Sequence, residues 1–599
     1  MTETDATLNQ LWAGLLVEEL VRNGVDTFCI SPGSRSTPLT IAAARNSLAN
    51  CVMHYDERGA AFFALGYARG AEKPAALICT SGTATANFYP AIIEAGQSRI
   101  PMVVLTADRP PELLETGANQ TIRQAGMFGP YTRWRFDLPC PTREIAPAFV
   151  LTTIDQAVYR ATRPEAGPVH INCAYREPLA PNKEESGLNS YIEPLAEWSA
   201  SQEPYTRYVP PFRGLDVETA ALLHDMVEEA RRPVVAVGQL DRAEERTAVA
   251  GLISKLRYPA FPGVTSGLRL GYRGESTISY FDLLLSSPET ARDLAPDLLL
   301  HIGGSMVSKS FQLWLERCRP AHYVRIADHP DREDPGHLAS LRVEADIPQA
   351  CEALMTRDMG VKESDKRARI WLAGIREYQN RATRILDECF EAHEDLSEPA
   401  VARCVAAAVR ESDGLFLGNS MPIRDMERYA PATGACPAVF ANRGASGIDG
   451  NIATVAGVAH GSGRAITAIL GDLATLHDLN SLALLREVKV PVVLVVINNN
   501  GGGVFHFLPV AEHKEVLEPY FTTPHGLGFG HACAMYGLAY VRPESLAEFR
   551  TEYEAALDTP RATLLEVRTD RTENAALHNR IDTEALTALR SREGTDGHL

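Results

Sequence analysis

The period of the hydrophobic pattern switches repeatedly along the chain. LNQLWAGLLVEELVRNG, near the start, carries apolar residues at helical spacing, and the short apolar runs DTFCI, AALICT and PMVVLT follow it between polar or glycine-bearing turns. The alternation returns around RRPVVAVGQL, DLLLHIGGS and HYVRIADHP, and again through GLFLGNS, PAVFANRG, AITAILGD, PVVLVVINN and ATLLEVRTD. Short strands separated by helices predict an α/β protein with mainly parallel sheets, because parallel neighbours need a crossover and the crossover is usually a helix. The pattern divides into three consecutive α/β domains at residues 1–185, 212–356 and 396–575. A polar, proline-bearing linker at 186–211 and a helical connector at 357–395 separate them, and 576–599 reads as a polar tail expected to fray.

One alternation carries chemistry. Residues 466–503, ITAILGDLATLHDLNSLALLREVKVPVVLVVINNNGGG, read as a strand ending in Gly471-Asp472, a helix, and a strand ending in Asn498-Asn499-Asn500 before a glycine run. In a right-handed βαβ unit both strands end on the same sheet edge, so Asp472 and Asn499 can meet there. A carboxylate, an amide oxygen and a backbone carbonyl are hard oxygen ligands that suit Mg²⁺, which keeps its other positions for phosphate oxygens. Asp and Asn also end strands for purely local hydrogen bonding, but a run of Gly501, Gly502 and Gly503 is costly to keep in a simple turn. A second feature is HYDERGAAFFALGYARGAEKPAALICTSGTATAN, where Glu57 precedes a helix whose Gly59, Ala60, Ala61, Ala64, Gly66, Ala68 and Gly70 allow very tight packing. Burial there would raise the carboxyl pKa and make Glu57 a hydrogen-bond donor or proton relay, whereas an isolated Glu at a helix start ordinarily just favours the positive helix end.

Composition narrows the class. With 599 residues, 45% hydrophobic and 22% charged, the chain has the make-up of a globular protein of several domains. No targeting or membrane-spanning segment is visible, so the expected compartment is the cytoplasm. The 11 cysteines are odd in number and include no Cys-x-x-Cys pair, which favours reduced thiols over disulfides or zinc. His54, His460, His477 and His506 have no metal-like spacing. A net charge of −18 argues against nucleic-acid binding, and any anionic substrate must be drawn by local Arg and Lys groups.

The metal unit and Glu57, together with Thr80-Ser81-Gly82-Thr83 and Asn87, resemble the thiamine-diphosphate-dependent enzymes of the pyruvate-decarboxylase and acetolactate-synthase superfamily across almost the whole chain. The resemblance implies an amino-terminal domain for the aminopyrimidine, a largely structural middle domain and a carboxyl-terminal domain for diphosphate and metal. It implies that Asp472 and Asn499 by side chain, and Gly501 by its carbonyl, hold Mg²⁺ or Mn²⁺, that Glu57 contacts the pyrimidine ring, and that Thr80, Gly82 and Asn87 line the cofactor site. SPGSRSTPLTIAAARN at residues 31–46, with TADRPPELLETGANQTI, LGNSMPIRDMERY and FANRGASGIDG, resembles more narrowly the menaquinone-pathway synthases that join 2-oxoglutarate to isochorismate.

That narrower likeness nominates Ser34, Arg35, Arg109, Gln120, Ser420, Arg424 and Arg443 around the substrates, with Glu57, Arg35, Gln120, Arg424 and Arg443 as the catalytic candidates and Ile448 as apolar support beneath the cofactor. Arginine recurs because both substrates carry two carboxylates, which a guanidinium grips bidentately. Lys309 is a further candidate, although Ser310 stands where some relatives carry a second basic residue. The family builds each site from two subunits, which implies a homodimer at least, or a homotetramer. Two other readings stay open: another 2-oxo acid decarboxylase or acetolactate-synthase-like enzyme, and a catalytically silent subunit, whose expected loss of Glu57 or of the metal ligands is not seen.

Overall fold

A computed structural model describes residues 7–181, 188–272, 274–356, 363–392, 395–431, 434–435 and 437–590. It contains three sheets, and all their strand pairs are parallel, as the alternation predicts. The first comprises β1 (Thr27–Ile30), β2 (Asn50–Met53), β3 (Ala75–Cys79), β4 (Met102–Asp108), β5 (Trp134–Leu138) and β6 (Pro168–Ala174), in the order β2-β1-β3-β4-β6-β5. The second holds β7 (Pro233–Val237), β8 (Ala260–Pro262), β9 (Leu298–Ile302), β10 (His322–Ala327) and β11 (Leu341–Glu344), ordered β11-β10-β9-β7-β8. The third holds β12 (Gly414–Leu417), β13 (Ala438–Phe440), β14 (Ile466–Gly471), β15 (Val492–Asn498), β16 (Ala539–Val541) and β17 (Ala562–Arg568), ordered β13-β12-β14-β15-β17-β16. The first and third sheets therefore share one winding. Their central strands, such as β4 and β15, are buried at every residue, which is why they read as unbroken apolar runs.

The chain packs as two units, one of residues 1–211, 442–463 and 474–490, the other of 212–441, 464–473 and 491–599. In the first, the helix Glu57–Ala71 lies against the helix Asn451–Ser462 with almost nothing between the backbones. A Cβ on Gly66 would sit 2.1 Å from the Thr454 carbonyl oxygen, and one on Gly457 would sit 2.0 Å from that of Phe63. Gly70 and Gly461 extend the seam, each 2.6 Å by the same measure from the carbonyl oxygens of Val458 and Tyr67. The tight packing expected of the glycine- and alanine-rich helix is thus realised through two glycines on each side. The first unit also absorbs the described part of the 186–211 segment, whose opening residues to 187 lie outside the described ones: Trp198 stacks on the Arg22 guanidinium at 4.0 Å and donates from Nε1 to Glu19 Oε2 at 2.7 Å.

In the second unit the connector forms a helix, Glu363–Glu391, whose Trp371, Ile375, Ala382 and Leu386 join one apolar cluster. The expectation for 576–599 needs correction. The helix Arg571–Arg590 continues through it, because Ile581, Ala585 and Leu589 recur every fourth residue and enter that same cluster. Residues 591–599 lie outside the described ones, so the expected fraying does too. Buried His578 clamps this helix to Met421–Tyr429, with Nε2 donating to Asp425 Oδ1 and Nδ1 to the Asn574 carbonyl, each at 2.8 Å. Burial works against the charged ring, but Asp425 and the two hydrogen bonds outweigh it and raise the His578 pKa to about 9. The ten cysteines described are all free thiols.

Gly457→Ala is expected to cost about 1–3 kcal/mol, read as a lower thermal midpoint, because the added methyl meets backbone that cannot turn away. Gly251→Ala is the control: its Cβ would find only Met355 Sδ, at 3.9 Å, in the helix Ala243–Leu256, so no loss is expected. For His578 the raised pKa makes its stabilisation complete below about 6.5 and lost as pH rises through about 9. His578→Gln should abolish that part of the decline in urea midpoint between pH 6 and pH 9.5; an identical decline in both proteins would remove the assignment.

Candidate active site

In the first unit the nominated residues gather at the carboxyl ends of β1, β3 and β4. Gly33 lets the chain after β1 pass over Thr80, since a Cβ there would lie 2.2 Å from Thr80 Cβ. Arg35 N–H donates to Thr80 Oγ1 at 3.2 Å, and its Nη1 donates to the Tyr175 carbonyl at 2.9 Å. Among the described residues Arg35 Nε is buried without a partner, and the Glu177 carboxylate stands 3.7 Å from Nη2. Burial, and then the neighbouring Arg109, lower the Arg35 pKa. Arg109 Nη1 donates to Ser81 Oγ at 2.8 Å; Ser81 Oγ donates to the Gln120 carbonyl at 3.1 Å, and Gln120 Nε2 returns a bond to the Ser81 carbonyl at 2.9 Å. Arg35, Thr80, Ser81, Arg109 and Gln120 are thereby one connected patch, with Ser34 exposed beside it. Gln120 holds its place at φ 58°, a left-handed conformation.

The turn after β3 is held from beneath. Gly82, at φ 86°, donates its N–H to Gln124 Oε1 at 2.9 Å. Gln124 Nε2 binds the Ala107 carbonyl at 3.0 Å and Asn172 Oδ1 at 2.9 Å, and Asn172 Nδ2 binds Asp108 Oδ2 at 2.9 Å. Glu57 opens its helix half-buried, accepting from Asn87 Nδ2 at Oε2, 3.1 Å away. The full burial expected of Glu57 is not seen. The Arg443 segment is anchored by buried Glu94, whose two oxygens take the N–H groups of Gly444 at 2.9 Å and Ala445 at 2.7 Å. Beyond that anchor Ile448 stands 40% exposed, a large apolar side chain left uncovered.

In the second unit β14 and β15 are neighbours with Gly471 beside Ile497, so Asp472 and Asn499 leave the sheet on one edge. Asp472 is buried; its Oδ2 accepts the Gly501 N–H at 2.8 Å and His525 Nε2 at 3.1 Å. Leu527 N–H donates to His525 Nδ1 at 3.0 Å, which leaves Nε2 as the protonated nitrogen. Asn499 directs Nδ2 to Glu398 Oε1 at 2.9 Å, and its Oδ1 is buried with no partner among the described residues. Gly501, at φ 133°, runs so close to Thr522 that a Cβ would fall 2.1 Å from its carbonyl oxygen. A carboxylate, an orphaned amide oxygen and a glycine carbonyl match the oxygen donor set of Mg²⁺ or Mn²⁺.

The crossover between these strands differs from the single helix expected. An α-helix, Asp472–His477, gives way to a tighter stretch, Leu479–Leu485. Asp478 breaks it: buried, with its pKa raised by that burial to about 6, it accepts the Ala453 N–H at 2.9 Å and the Ser481 hydroxyl at 2.7 Å in place of continuing the helix. In the second unit, Ser420 precedes the helix Met421–Tyr429 at φ 75°, and exposed Arg424 reaches back to its carbonyl. Lys309 lies exposed at the start of Lys309–Cys318, with no hydrogen bond or ion pair among the described residues. Among the residues that hold these segments, Gln124, Glu94, Glu398 and His525 were not singled out from sequence; each is a lone polar residue far from its partner along the chain.

Comparison with known proteins gives this arrangement its class. Residues 12–127 match the N-terminal TPP binding domain of thiamine pyrophosphate enzymes, 189–417 the corresponding middle domain, and 425–567 the C-terminal TPP binding domain. A solved Rhodococcus jostii thiamine diphosphate-dependent 4-hydroxybenzoylformate decarboxylase shares the fold, with a TM-score of 0.69 over 94% of this chain and 99% of that one, at 17% identity. The chain is a thiamine-diphosphate-dependent enzyme. It is 48% identical over 573 residues to the 2-succinyl-5-enolpyruvyl-6-hydroxy-3-cyclohexene-1-carboxylate synthase of Rubrobacter xylanophilus, covering 96% of this chain and 98% of that protein. It is 44% identical to the synthase of the same name from Salinibacter ruber, with 97% of each chain covered. It belongs to the 2-succinyl-5-enolpyruvyl-6-hydroxy-3-cyclohexene-1-carboxylate synthase family.

Proposed function

We propose that this enzyme decarboxylates 2-oxoglutarate and adds the remaining four-carbon fragment to the conjugated double bond of isochorismate, giving 2-succinyl-5-enolpyruvyl-6-hydroxy-3-cyclohexene-1-carboxylate and CO2 for menaquinone biosynthesis. The observation that carries it is 48% identity running nearly end to end with a synthase of that name. Thiamine diphosphate, when bound, supplies the electron sink that makes loss of CO2 from a 2-oxo acid feasible. Residues 1–185 are assigned to its pyrimidine end and 396–575 to its diphosphate end, with 212–356 largely structural.

Asp472, Asn499 and the Gly501 carbonyl would hold the divalent metal, a role supported by the unpartnered Asn499 Oδ1. Glu57 would face the aminopyrimidine; because Asn87 occupies Oε2, the proton it exchanges with the ring is assigned to Oε1. Thr80, Gly82 and Asn87 shape that end of the site, and Ile448 offers apolar support. Arg35, Arg109, Arg424 and Arg443 would pair with substrate carboxylates while Ser34, Gln120 and Ser420 align them by hydrogen bonds, and Lys309 adds a further cation. No helix among the described residues is long and apolar enough to cross a membrane. We place the enzyme in the cytoplasm as a homodimer or homotetramer.

The purified chain with thiamine diphosphate and Mg²⁺ should release CO2 and form the named product, seen by mass spectrometry, only when both acids are present. Acetolactate formed from pyruvate alone would overturn the assignment. In the same assay Glu57→Gln should keep the fold by circular dichroism and lose about 100-fold or more in turnover, and near-normal turnover would remove Glu57 from its role. For Asp472→Ala, calorimetry should report Mg²⁺ and thiamine diphosphate binding weakened roughly tenfold or more; unchanged affinity would refute the metal assignment.

A further inference from the structure

An asparagine side chain presents an oxygen and an NH2 group of nearly equal size, so a pocket of neutral shape does not distinguish which of them faces a metal. At Asn499 the choice is made by one residue. Glu398, itself 3% exposed in the first turn of the helix Glu398–Ala408, directs Oε1 at the amide and accepts Nδ2 at 2.9 Å. The same oxygen accepts the Thr569 hydroxyl at 3.0 Å, so a second residue holds it in place. A residue in a first helical turn ordinarily turns its carboxylate to solvent or to the helix's free N–H groups; Glu398 turns inward. The opposite amide oxygen, Asn499 Oδ1, is buried without a partner among the described residues. Flipping the amide would set oxygen against oxygen at Glu398 and point two N–H donors at the metal position.

Resting on the reading of Asn499 as a metal ligand, we infer that Glu398 is a positioning residue that locks the Asn499 amide with its oxygen toward the cation. It touches neither substrate nor cofactor, and acts through the rotamer of one ligand. Only its acceptor atom matters for this role. Glutamine can supply the same acceptor through its carbonyl, while methionine fills similar space without it.

The test is Mn²⁺ binding to the full chain saturated with thiamine diphosphate, read as free Mn²⁺ by electron paramagnetic resonance. Asn499→Ala should weaken binding about tenfold or more, and Mn²⁺ affinity unchanged in that variant would overturn the ligand reading and the inference together. With that control impaired, Glu398→Gln should stay within about threefold of the parent while Glu398→Met falls by roughly 10- to 100-fold. Glu398→Met binding as tightly as the parent would overturn the positioning role and leave Asn499 as a ligand. An independent swap covers the case in which Glu398→Met does not fold. Asn499→Asp confronts Glu398 with a second carboxylate, and adding Glu398→Gln restores a donor between them; the double variant should bind Mn²⁺ about tenfold more tightly than Asn499→Asp alone. Equal affinities in that pair would also overturn the inference.

Discussion

The seam of glycines between the helices Glu57–Ala71 and Asn451–Ser462 fixes more of the first unit than any single hydrogen bond. Backbone atoms on both sides occupy the space where side chains would stand, so the separation and axial register of the two helices have little freedom. Glu57 rides at one end of that seam, and the Arg443–Ile448 segment leads into the other helix. Side-chain seams relax by changing rotamers; a seam made of backbone has no such recourse. Groups carried on these elements therefore inherit a rigidity that their own partly exposed surroundings do not supply.

Electrostatics is organised locally in a chain that is acidic overall. Arg35 is buried and lies close enough to Arg109 to feel its charge, which Glu177, 3.7 Å from Nη2, and Asp108 offset. Burial and the second guanidinium both work against the charge on Arg35, and an added carboxylate would offset them. The edge where β14 and β15 end is arranged the opposite way. There, buried Asp472 and Glu398 supply acceptors: Asp472 to the Gly501 N–H and His525, Glu398 to the Asn499 amide and the Thr569 hydroxyl.

The strands were legible because parallel sheets covered on both faces need continuous apolar runs, and the approach of Asp472 to Asn499 followed from the handedness of one crossover. The helix Arg571–Arg590 was hidden because its Ile581, Ala585 and Leu589 stand among polar residues and their apolar partners come from Glu363–Glu391. Asp478 looked like one polar residue in a helix, and only its burial against Ala453 and Ser481 explains the break. Resemblance to known enzymes named Arg35, Arg109 and Gln120; the link through Ser81 is a tertiary fact. Glu398 lies 101 residues from Asn499 on a separate element, and no local pattern joins a glutamate to an asparagine at that distance.

Gln120, Ser420 and Asn500 all adopt left-handed backbone, at φ 58°, 75° and 63°, in segments that carry candidate site residues. Such a conformation costs a residue with a side chain on the order of 1 kcal/mol or more, with asparagine the most tolerant, and glycine would adopt it freely. The chain retains side chains at all three positions. Glycine at any of the three would relieve that backbone cost, and each choice would erase a polar group: the Gln120 amide that ties down Ser81, the hydroxyl of Ser420, or the Asn500 oxygen that receives the N–H groups of His525 and Gly526. At these three positions a gain in backbone stability and the proposed work of the enzyme compete for the same residues.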